Sequence, residues 1–450
     1  MPRSFSRRAA LRAAALGLGW LGMPSSASAS RSLPPAKRVI FLCMAGGPSH
    51  VDTFDYKPQL AKSNGKDAPG DYRRGAKLLG SPFKFKQHGQ SGLWISELFP
   101  HLAEQADRLC MLHGMHTDIP AHSQAFIRMH TGTSQFVRPS MGAWVHYGLG
   151  TANENLPAFV TLNPPSTQGG AQNYGSAILP QQHQGLRIGI ERESRLTRRN
   201  KPDEAVADIK NPRRTDKAQR RQLDLLDALN KAHAKKGDAN GAIGSVNEAY
   251  ELAFKMQAEL PALLDTSSVP RKTLAMYGIG EETTDNFGRQ CLTARNLAAE
   301  GVRFIEINQG GWDHHRNLKA DLRTSCDAID LPIAALLQDL DRSGLLEDTL
   351  VVWGGEFGRT PFAQGTDGRD HNNRGYTTWM AGAGVRPGFS YGQTDEVGIE
   401  AVEGRVSTND WHATILHLLG LEHESLTFNH AGREFRLTDV AGDVLRGILA

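Results

Sequence analysis

The sequence predicts an α/β fold built on a mainly parallel sheet that is covered by helices on both faces. One observation is a series of β-rich runs that are apolar throughout, which is typical of strands buried on both faces. A second is that segments with helical apolar spacing separate several of these runs, an order that favours parallel strands. The predicted strands are KRVIFLCMAGG (37–47), RLCMLHGMH (108–116), LPAFVTLNP (156–164), GVRFIEINQGG (301–311), DTLVVWGGEFG (348–358) and YTTWMAGAGV (376–385).

Two helices are predicted from their periodicity and their end signals. FGRQCLTARNLAAEG (287–301) ends at a glycine, and LPIAALLQDLDRSG (331–344) has Pro332 where a first helical turn tolerates it. The region near 190–275 differs, because a highly charged stretch leads into two amphipathic helical patterns. We interpret it as a helical insertion whose basic residues form a solvated face or a mobile loop more readily than an anion site.

Residues 1–29 have the pattern of a twin-arginine signal peptide. The paired Arg7 and Arg8 precede a short apolar stretch, and small residues end at Ala27-Ser28-Ala29. A membrane anchor is the weaker interpretation, because the apolar run is much shorter than a bilayer requires. We expect the twin-arginine machinery to export a mature chain, residues 30–450, to the periplasm or the cell exterior. No later segment is apolar enough to span a membrane.

Composition narrows the classes of partner. The 450 residues contain 51 Lys plus Arg and 48 Asp plus Glu, a formal charge of +3 that is too balanced to indicate nucleic acid. The four cysteines have no spacing typical of a disulfide framework or a zinc motif. The 17 histidines are more informative, since several stand in short runs with Asp, Asn or Gly.

Acidic residues and histidines gather after the predicted strands. In an open parallel sheet, ligands bind beyond the carboxyl ends of the strands, so these residues are candidate site residues. Imidazole and carboxylate together suit zinc and similar divalent ions, and two-metal hydrolases collect such ligands from several loops. The clusters are Ser49, His50, Asp52 and Asp55; His113, His116, Asp118, His122 and Ser123; Asp313, His314 and His315; Glu356, Arg359, Asp370 and His371; and Asp410 with His412.

A set of motifs in a fixed order resembles one known family. The segments GGPSHVDTFD, FGRQCLTARNLAAEGVRF, GWDHH, VVWGGEFGRTP, GRDHN and DWHATILHLLGL resemble the domain of unknown function 1501, exported proteins related to the alkaline phosphatase and sulfatase superfamily. The resemblance spans nearly the whole mature chain. It implies a three-layer α/β/α sandwich, a divalent metal site and in-line hydrolysis of phosphate or sulfate esters.

The chain departs from the sulfatase pattern at two places. Sulfatases have an acidic metal ligand where the first strand ends, but this chain has Ala45-Gly46-Gly47 there, so His50 and Asp52 become the candidates. The formylglycine signature, Cys-x-Pro-Ser-Arg, would begin at His122 and is absent. His122 is therefore a metal ligand, a nucleophile, or a base beside Ser123 or water. Ser49 is the other hydroxyl candidate, unless it only caps a helix.

Later motifs supply the remaining candidates. Glu356, the pair Asp370-His371 and His412 resemble acidic and histidine ligands of the superfamily, and Arg359 either holds an anionic ester or forms a structural ion pair. Adjacent side chains diverge in an extended turn, so Asp313 and His315 are expected to point into the site and His314 away from it. The predicted metal ligands are His50, Asp52, His122, Asp313, His315, Glu356, Asp370, His371 and His412.

Together these features predict an exported, metal-dependent hydrolase of small-molecule or carbohydrate esters. Zinc is the expected ion, with calcium and manganese as alternatives. The catalytic candidates are His122, Ser123, Ser49 and Arg359. The alternative is an exported binding or scaffold protein that keeps the fold and a metal but has lost catalysis, which the missing strand-end acid and missing signature favour.

Overall fold

The computed structural model describes residues 35–69, 75–189, 213–234 and 242–450. The predicted signal peptide lies outside the described residues, as does most of the charged part of the predicted insertion. Within the described part of that insertion are two long helices, one on each side of the gap at 235–241.

A twisted central sheet organises the described chain, in the strand order β12-β4-β11-β8-β1-β7-β5-β6, with β15 beside β4. All its pairings are parallel except the two made by β11, which runs against β4 and β8. The strands of this sheet are β1 (Arg38–Met44), β4 (Leu109–His116), β5 (Phe159–Leu162), β6 (Leu186–Ile188), β7 (Phe304–Gln309), β8 (Thr349–Gly354), β11 (Tyr376–Gly382), β12 (Phe389–Tyr391) and β15 (Val406–Ser407).

Four two-stranded ribbons surround this sheet in the described residues. They pair β2 (Phe85–His88) with β3 (Leu93–Ser96), β9 (Gly358–Gln364) with β10 (Gly368–Asn372), β13 (Gln393–Thr394) with β14 (Ala401–Glu403), and β16 (Phe428–His430) with β17 (Arg433–Phe435).

Helices cover both faces of the sheet, and each face has its own apolar core. One core contains residues of β1, β7 and β8 together with α6, α8 and α9, and the other contains residues of α3, α4 and α10. The helices are α1 (His50–Thr53), α2 (Pro58–Lys62), α3 (His122–Thr131), α4 (Met141–Leu149), α5 (Asp216–Ala234), α6 (Ala242–Leu264), α7 (Arg271–Met276), α8 (Asp285–Ala299), α9 (Leu318–Arg342) and α10 (Thr408–Leu418). The predicted fold class, a three-layer α/β arrangement with a mainly parallel sheet, is confirmed.

The boundaries of α9 differ from the prediction. The helix begins at Leu318, and Pro332 lies inside it instead of in its first turn. The helix starts earlier because the residues before the proline also have an apolar face. Leu322, Cys326 and Ile329 form a buried stripe there at helical spacing. The glycine after the helix was a reliable end signal, since α9 ends two residues before Gly344.

All four cysteines are free and buried, consistent with small apolar side chains in a core. Among the described helices, none combines the length and apolar character needed to cross a membrane.

The parallel strands bring several loops to one edge of the sheet. The chain segments after β1, β4, β7 and β8 all leave the carboxyl edge, and β8 leads directly into the β9–β10 ribbon. These segments contain most of the Asp, Glu and His residues that the sequence singles out.

Candidate metal centre

Three histidines and one aspartate converge at the carboxyl edge of the sheet. His122 is the first residue of α3, Asp313 and His315 follow β7, and His371 lies on β10. One ligand atom from each of the four lies within 4.8 Å of the others.

The convergence is centred on one carboxylate oxygen. Asp313 Oδ1 lies 3.1 Å from His122 Nε2, 2.8 Å from His315 Nε2 and 3.5 Å from His371 Nε2. The Nε2 atoms of His315 and His371 are 3.0 Å apart. All three imidazoles therefore point the same ring nitrogen at a common place.

The opposite nitrogen of each imidazole is held by an outer acceptor. His122 Nδ1 donates to Glu356 Oε1 at 2.6 Å, His371 Nδ1 donates to the Pro120 carbonyl at 2.8 Å, and His315 Nδ1 donates to Gln364 Oε1. A carbonyl and a carboxylate can only accept, so these bonds place the proton on Nδ1. They leave the Nε2 lone pairs facing inward, which is the arrangement that outer partners impose on metal-binding histidines.

This arrangement needs a positive charge at its centre. With Nδ1 protonated, lone pairs on His315 and His371 face one another beside the Asp313 carboxylate. His122 Nε2 is also buried and lies 3.1 Å from the same Asp313 oxygen. A proton or a cation would relieve this repulsion, and three imidazoles with one carboxylate form a donor set that fits zinc.

The pKa values of His122 and Asp313 are shifted by the charged groups that surround them. Burial alone would lower the pKa of His122, but hydrogen bonds to Asp313 and Glu356 outweigh it and raise the pKa to about 9. Burial alone would raise the pKa of Asp313, but contacts with His122, His371 and Arg359 hold it well below its usual range. Without a metal, His122 is thus a cation between two carboxylates.

Arg359 contacts the cluster through Asp313 and holds the surrounding loops. Its side chain is fully buried, and its Nε donates to the Gly47 carbonyl at 2.9 Å. Its other nitrogens donate to the carbonyls of Gly46, Trp312 and Arg369 and to Asp313 Oδ1. The sequence left open whether this arginine holds a substrate anion or forms a structural ion pair. The structure places its donors on the protein itself.

The β1 loop approaches the β7 loop very closely at Gly46. Its φ of +123° lies in the region that favours glycine, and a Cβ atom there would lie 2.7 Å from Asp313 N. The Gly46 N–H donates to Glu356 Oε1 at 3.0 Å, so Glu356 links this loop to His122. Glu356 thus contacts the cluster through the outer nitrogen of a histidine.

Asp52 and Ser49 form a separate buried pair. Arg369 Nε and Nη2 donate to the two oxygens of Asp52 at 2.6 and 3.0 Å, and all three side chains are buried. Ser49 Oγ also donates to Asp52, at 2.5 Å. The structure therefore places Asp52 in a paired charge network and keeps the Ser49 hydroxyl within it.

The other predicted site residues lie outside the four-residue cluster. His50 Nε2 donates to the Gly398 carbonyl at 2.9 Å, and His412 Nε2 donates to the Met129 carbonyl at 2.7 Å. Asp370 Oδ1 accepts the backbone N–H of His371 at 2.9 Å. Ser123 is exposed in the first turn of α3. His314 is buried, with Nε2 3.3 Å from Ser325 Oγ, on a different side from Asp313.

Three supporting groups were not predicted from the sequence. Gln364 and the Pro120 carbonyl orient histidines, and Arg369 neutralises Asp52. Gln364 reaches His315 because β9 folds back on β10, a ribbon that the strand pattern did not predict. Arg369 does stand in the GRDHN motif, but only its neighbours Asp370 and His371 were predicted, as metal ligands.

The fold and the cluster define an α/β protein with a preorganised His and Asp centre at the carboxyl edge of its sheet. The chain belongs to the family described as protein of unknown function (DUF1501), whose model matches residues 36–449. The family predicted from the motifs is confirmed. No curated protein matches the sequence.

Solved structures that are similar to this chain include a sulfatase, an alkaline phosphatase variant and a lipoteichoic acid synthase. The sulfatase PsFucS1 from Pseudoalteromonas sp. is 13% identical, with 87% of this chain and 69% of that chain covered and a TM-score of 0.38. A variant of TAB5 alkaline phosphatase with Mg bound in its M3 site is 11% identical, with 86% and 99% covered and a TM-score of 0.37. Lipoteichoic acid synthase LtaP from Listeria monocytogenes is 10% identical, with 89% and 74% covered and a TM-score of 0.38.

The raised pKa of His122 predicts a pH dependence of stability in chelator-treated protein. Because its folded pKa of about 9 lies above the ordinary 6.5, its stabilising contribution is complete below pH 6.5 and is lost as pH rises through 9. We expect urea midpoints of wild type to fall over this window and those of His122→Gln to fall less.

The control for this measurement is His430→Gln, a change at an exposed histidine of β16. It should keep the wild-type slope. His130, whose pKa is raised by Glu306 against the effect of burial, contributes equally to all three proteins and cancels in the comparison. Identical slopes for wild type and His122→Gln would contradict the assignment.

Proposed function

We propose that this protein is an exported, metal-dependent hydrolase that acts on phosphate or sulfate esters of small molecules or carbohydrates. His122, Asp313, His315 and His371 hold a divalent ion, and zinc is the ion that this donor set fits best. The observation that most directly supports the metal site is the convergence of three histidine Nε2 atoms on Asp313 Oδ1.

A divalent ion in this centre would supply Lewis-acid polarisation of an ester bond. The chain's own residues provide the preorganisation. Glu356, Gln364 and the Pro120 carbonyl keep the proton on Nδ1 of each histidine, so that Nε2 remains a lone-pair donor. Arg359 fixes the Asp313 carboxylate against two loop carbonyls. The ring orientations are thus set before an ion binds, and binding would displace the proton of His122.

Ser123 is the hydroxyl best placed to take part in chemistry. It is exposed and directly follows His122 in the first turn of α3, where free backbone N–H groups favour a negative charge. Ser49, in contrast, is fully buried and donates its proton to Asp52, which already pairs with Arg369. Either Ser123 or a water molecule would attack the ester.

One observation favours the alternative function, a non-catalytic binding or scaffold protein. Four donors converge on one place, and four protein ligands complete the tetrahedral shell that is typical of structural zinc sites. Catalytic zinc sites have three protein ligands and an open position. A structural ion would stabilise the fold without turnover, so the two functions differ in a measurable way.

The first prediction from this proposal concerns the metal. Purified protein should contain zinc, and His371→Ala should lose it because one inward-facing nitrogen is removed. Glu356→Gln should weaken zinc binding about 10–100-fold, the usual cost of losing an outer partner of a ligating histidine. Elemental analysis and titration against a competing chelator measure both effects.

His430→Ala serves as the matched control, because this histidine is exposed and lies outside the cluster. It should keep the metal content of wild type. The metal proposal would be wrong if wild type contained no metal and a chelator left its urea midpoint unchanged.

The second prediction separates the two functions. Wild type should hydrolyse members of a panel of aryl phosphates and sulfates in the presence of zinc, manganese or calcium. His371→Ala should be slower by more than the roughly 10–100-fold that loss of an outer partner costs. His430→Ala should match wild type, and Ser123→Ala tests the hydroxyl while leaving the metal in place.

Two results would favour the binding or scaffold function. One is the absence of turnover by metal-loaded wild type across the panel. The other is an equal rate for wild type and His371→Ala, since this would place any hydrolysis outside the cluster. A metal that stabilises the fold but supports no turnover identifies the ion as structural.

The third prediction concerns export. The paired Arg7 and Arg8, the short apolar stretch and Ala27-Ser28-Ala29 support twin-arginine export with cleavage near Ser30. Changing both arginines to lysine should retain the protein inside the cell. The matched control changes Arg3 and Arg12 to lysine and should be exported. Cell fractionation with intact-mass measurement checks both, and export of the first variant at the wild-type level would contradict the assignment.

A further inference from the structure

A cavity lies far from the candidate metal centre, between α7, α8 and α9. It has a volume of about 630 Å³, within the range of small-molecule sites. The carboxyl end of α9 forms part of its lining, through residues that include Asp339 and Arg342. The metal centre is next to the other end of α9, so the two sites are separated by on the order of 30 Å at about 1.5 Å per residue.

Three cations line this cavity, one from each helix. They are Lys272 of α7, Arg295 of α8 and Arg342 of α9. The sole acidic residue among its described lining residues is Asp339. The cavity therefore has an excess of positive charge, although the protein as a whole is nearly neutral.

The one carboxylate is already engaged. Asp339 Oδ2 accepts a hydrogen bond from Tyr277 OH at 2.9 Å and lies 3.1 Å from Arg295 Nε. Arg342 forms no ion pair with a described residue, and its Nη1 contacts Met276 Sδ at 3.9 Å. Lys272 forms neither an ion pair nor a hydrogen bond within the described chain. Two of the three cations thus have no anionic partner.

The remaining wall combines apolar side chains with the polar side chains of Thr273, Asn296 and Gln338. Val269, Met276 and Leu292 line the cavity beside the cations, and Leu292 is buried in one of the two apolar cores. Apolar surface in a concave site favours the hydrocarbon part of a ligand, whereas the cations favour anionic oxygens. Lys272 and Arg342 are exposed, so a ligand in solvent can reach both side chains.

We propose that this cavity is a binding site for an organic anion that carries a phosphate, sulfate or carboxylate group on an apolar body. The anionic head group binds Lys272 and Arg342. Arg295, which is paired with Asp339, adds a third positive charge to the cavity. The apolar body packs on Met276, Leu292 and Val269. The site does not depend on the metal centre or on its proposed chemistry.

The test is isothermal titration of the full-length mature protein with decyl phosphate, decanoate and inorganic phosphate. Wild type should bind at least one of the two decyl compounds with a Kd below about 1 mM, and more tightly than it binds inorganic phosphate. The double variant Lys272→Glu/Arg342→Glu should bind the decyl compound at least about tenfold more weakly, because two attractive charges become repulsive. Both residues are exposed, so the variant should keep the wild-type urea midpoint.

Two further variants make the result specific. Arg271→Glu/Lys319→Glu makes the same change in net charge on the same two helices, at exposed positions outside the cavity, and should bind as wild type does. His371→Ala alters the metal centre and should also leave binding unchanged. Binding that is lost in His371→Ala, that falls equally in both charge-reversed variants, or that is undetectable for both decyl compounds would overturn the proposal. Equal affinity for decyl phosphate and inorganic phosphate would overturn the role of the apolar wall.

Discussion

The guanidinium of Arg359 connects the loops that form the candidate metal centre. A fully buried arginine is costly unless its donors are satisfied, and this one donates to carbonyls and a carboxylate from three separate chain segments. Gly46 belongs to the loop after β1, Trp312 and Asp313 to the loop after β7, and Arg369 to β10. These segments are far apart in the sequence. Their mutual positions therefore depend on one side chain that contacts all of them.

A second buried arginine links the β9–β10 ribbon to α1. Arg369 forms a two-pronged ion pair with Asp52, and both side chains have no exposed surface. Removing one partner of such a pair leaves an uncompensated buried charge, which typically costs about 3–5 kcal/mol. The ribbon that supplies His371 is thus anchored by two arginines, Arg359 and Arg369, from its own strands. Charge pairing gives this anchoring a direction that apolar packing alone does not impose.

The metal centre and the cationic cavity differ in how their charges are satisfied. At the candidate metal centre each outer histidine nitrogen has an acceptor, while the inner nitrogens and the Asp313 carboxylate bring four ligand atoms to one place. At the cavity, cations outnumber carboxylates, and Asp339 is already paired. We propose the first arrangement as a site for a cation and the second as a site for an anion. The helix α9 connects them, since it begins just after His315 and ends at Arg342.

Local sequence patterns determined the fold class, the family and the segments that contribute to the centre. The continuous apolar runs predict β1, β4, β7 and β8, because strands buried on both faces need apolar side chains throughout. The tertiary structure alone decided which polar residues meet. In the sequence, His50 and His412 stand near acidic residues as His122 and His371 do. In the structure, their ring nitrogens instead contact the carbonyls of Gly398 and Met129. The direction of a side chain depends on strand register, ribbon pairing and partners that are distant in sequence, and local periodicity contains none of these.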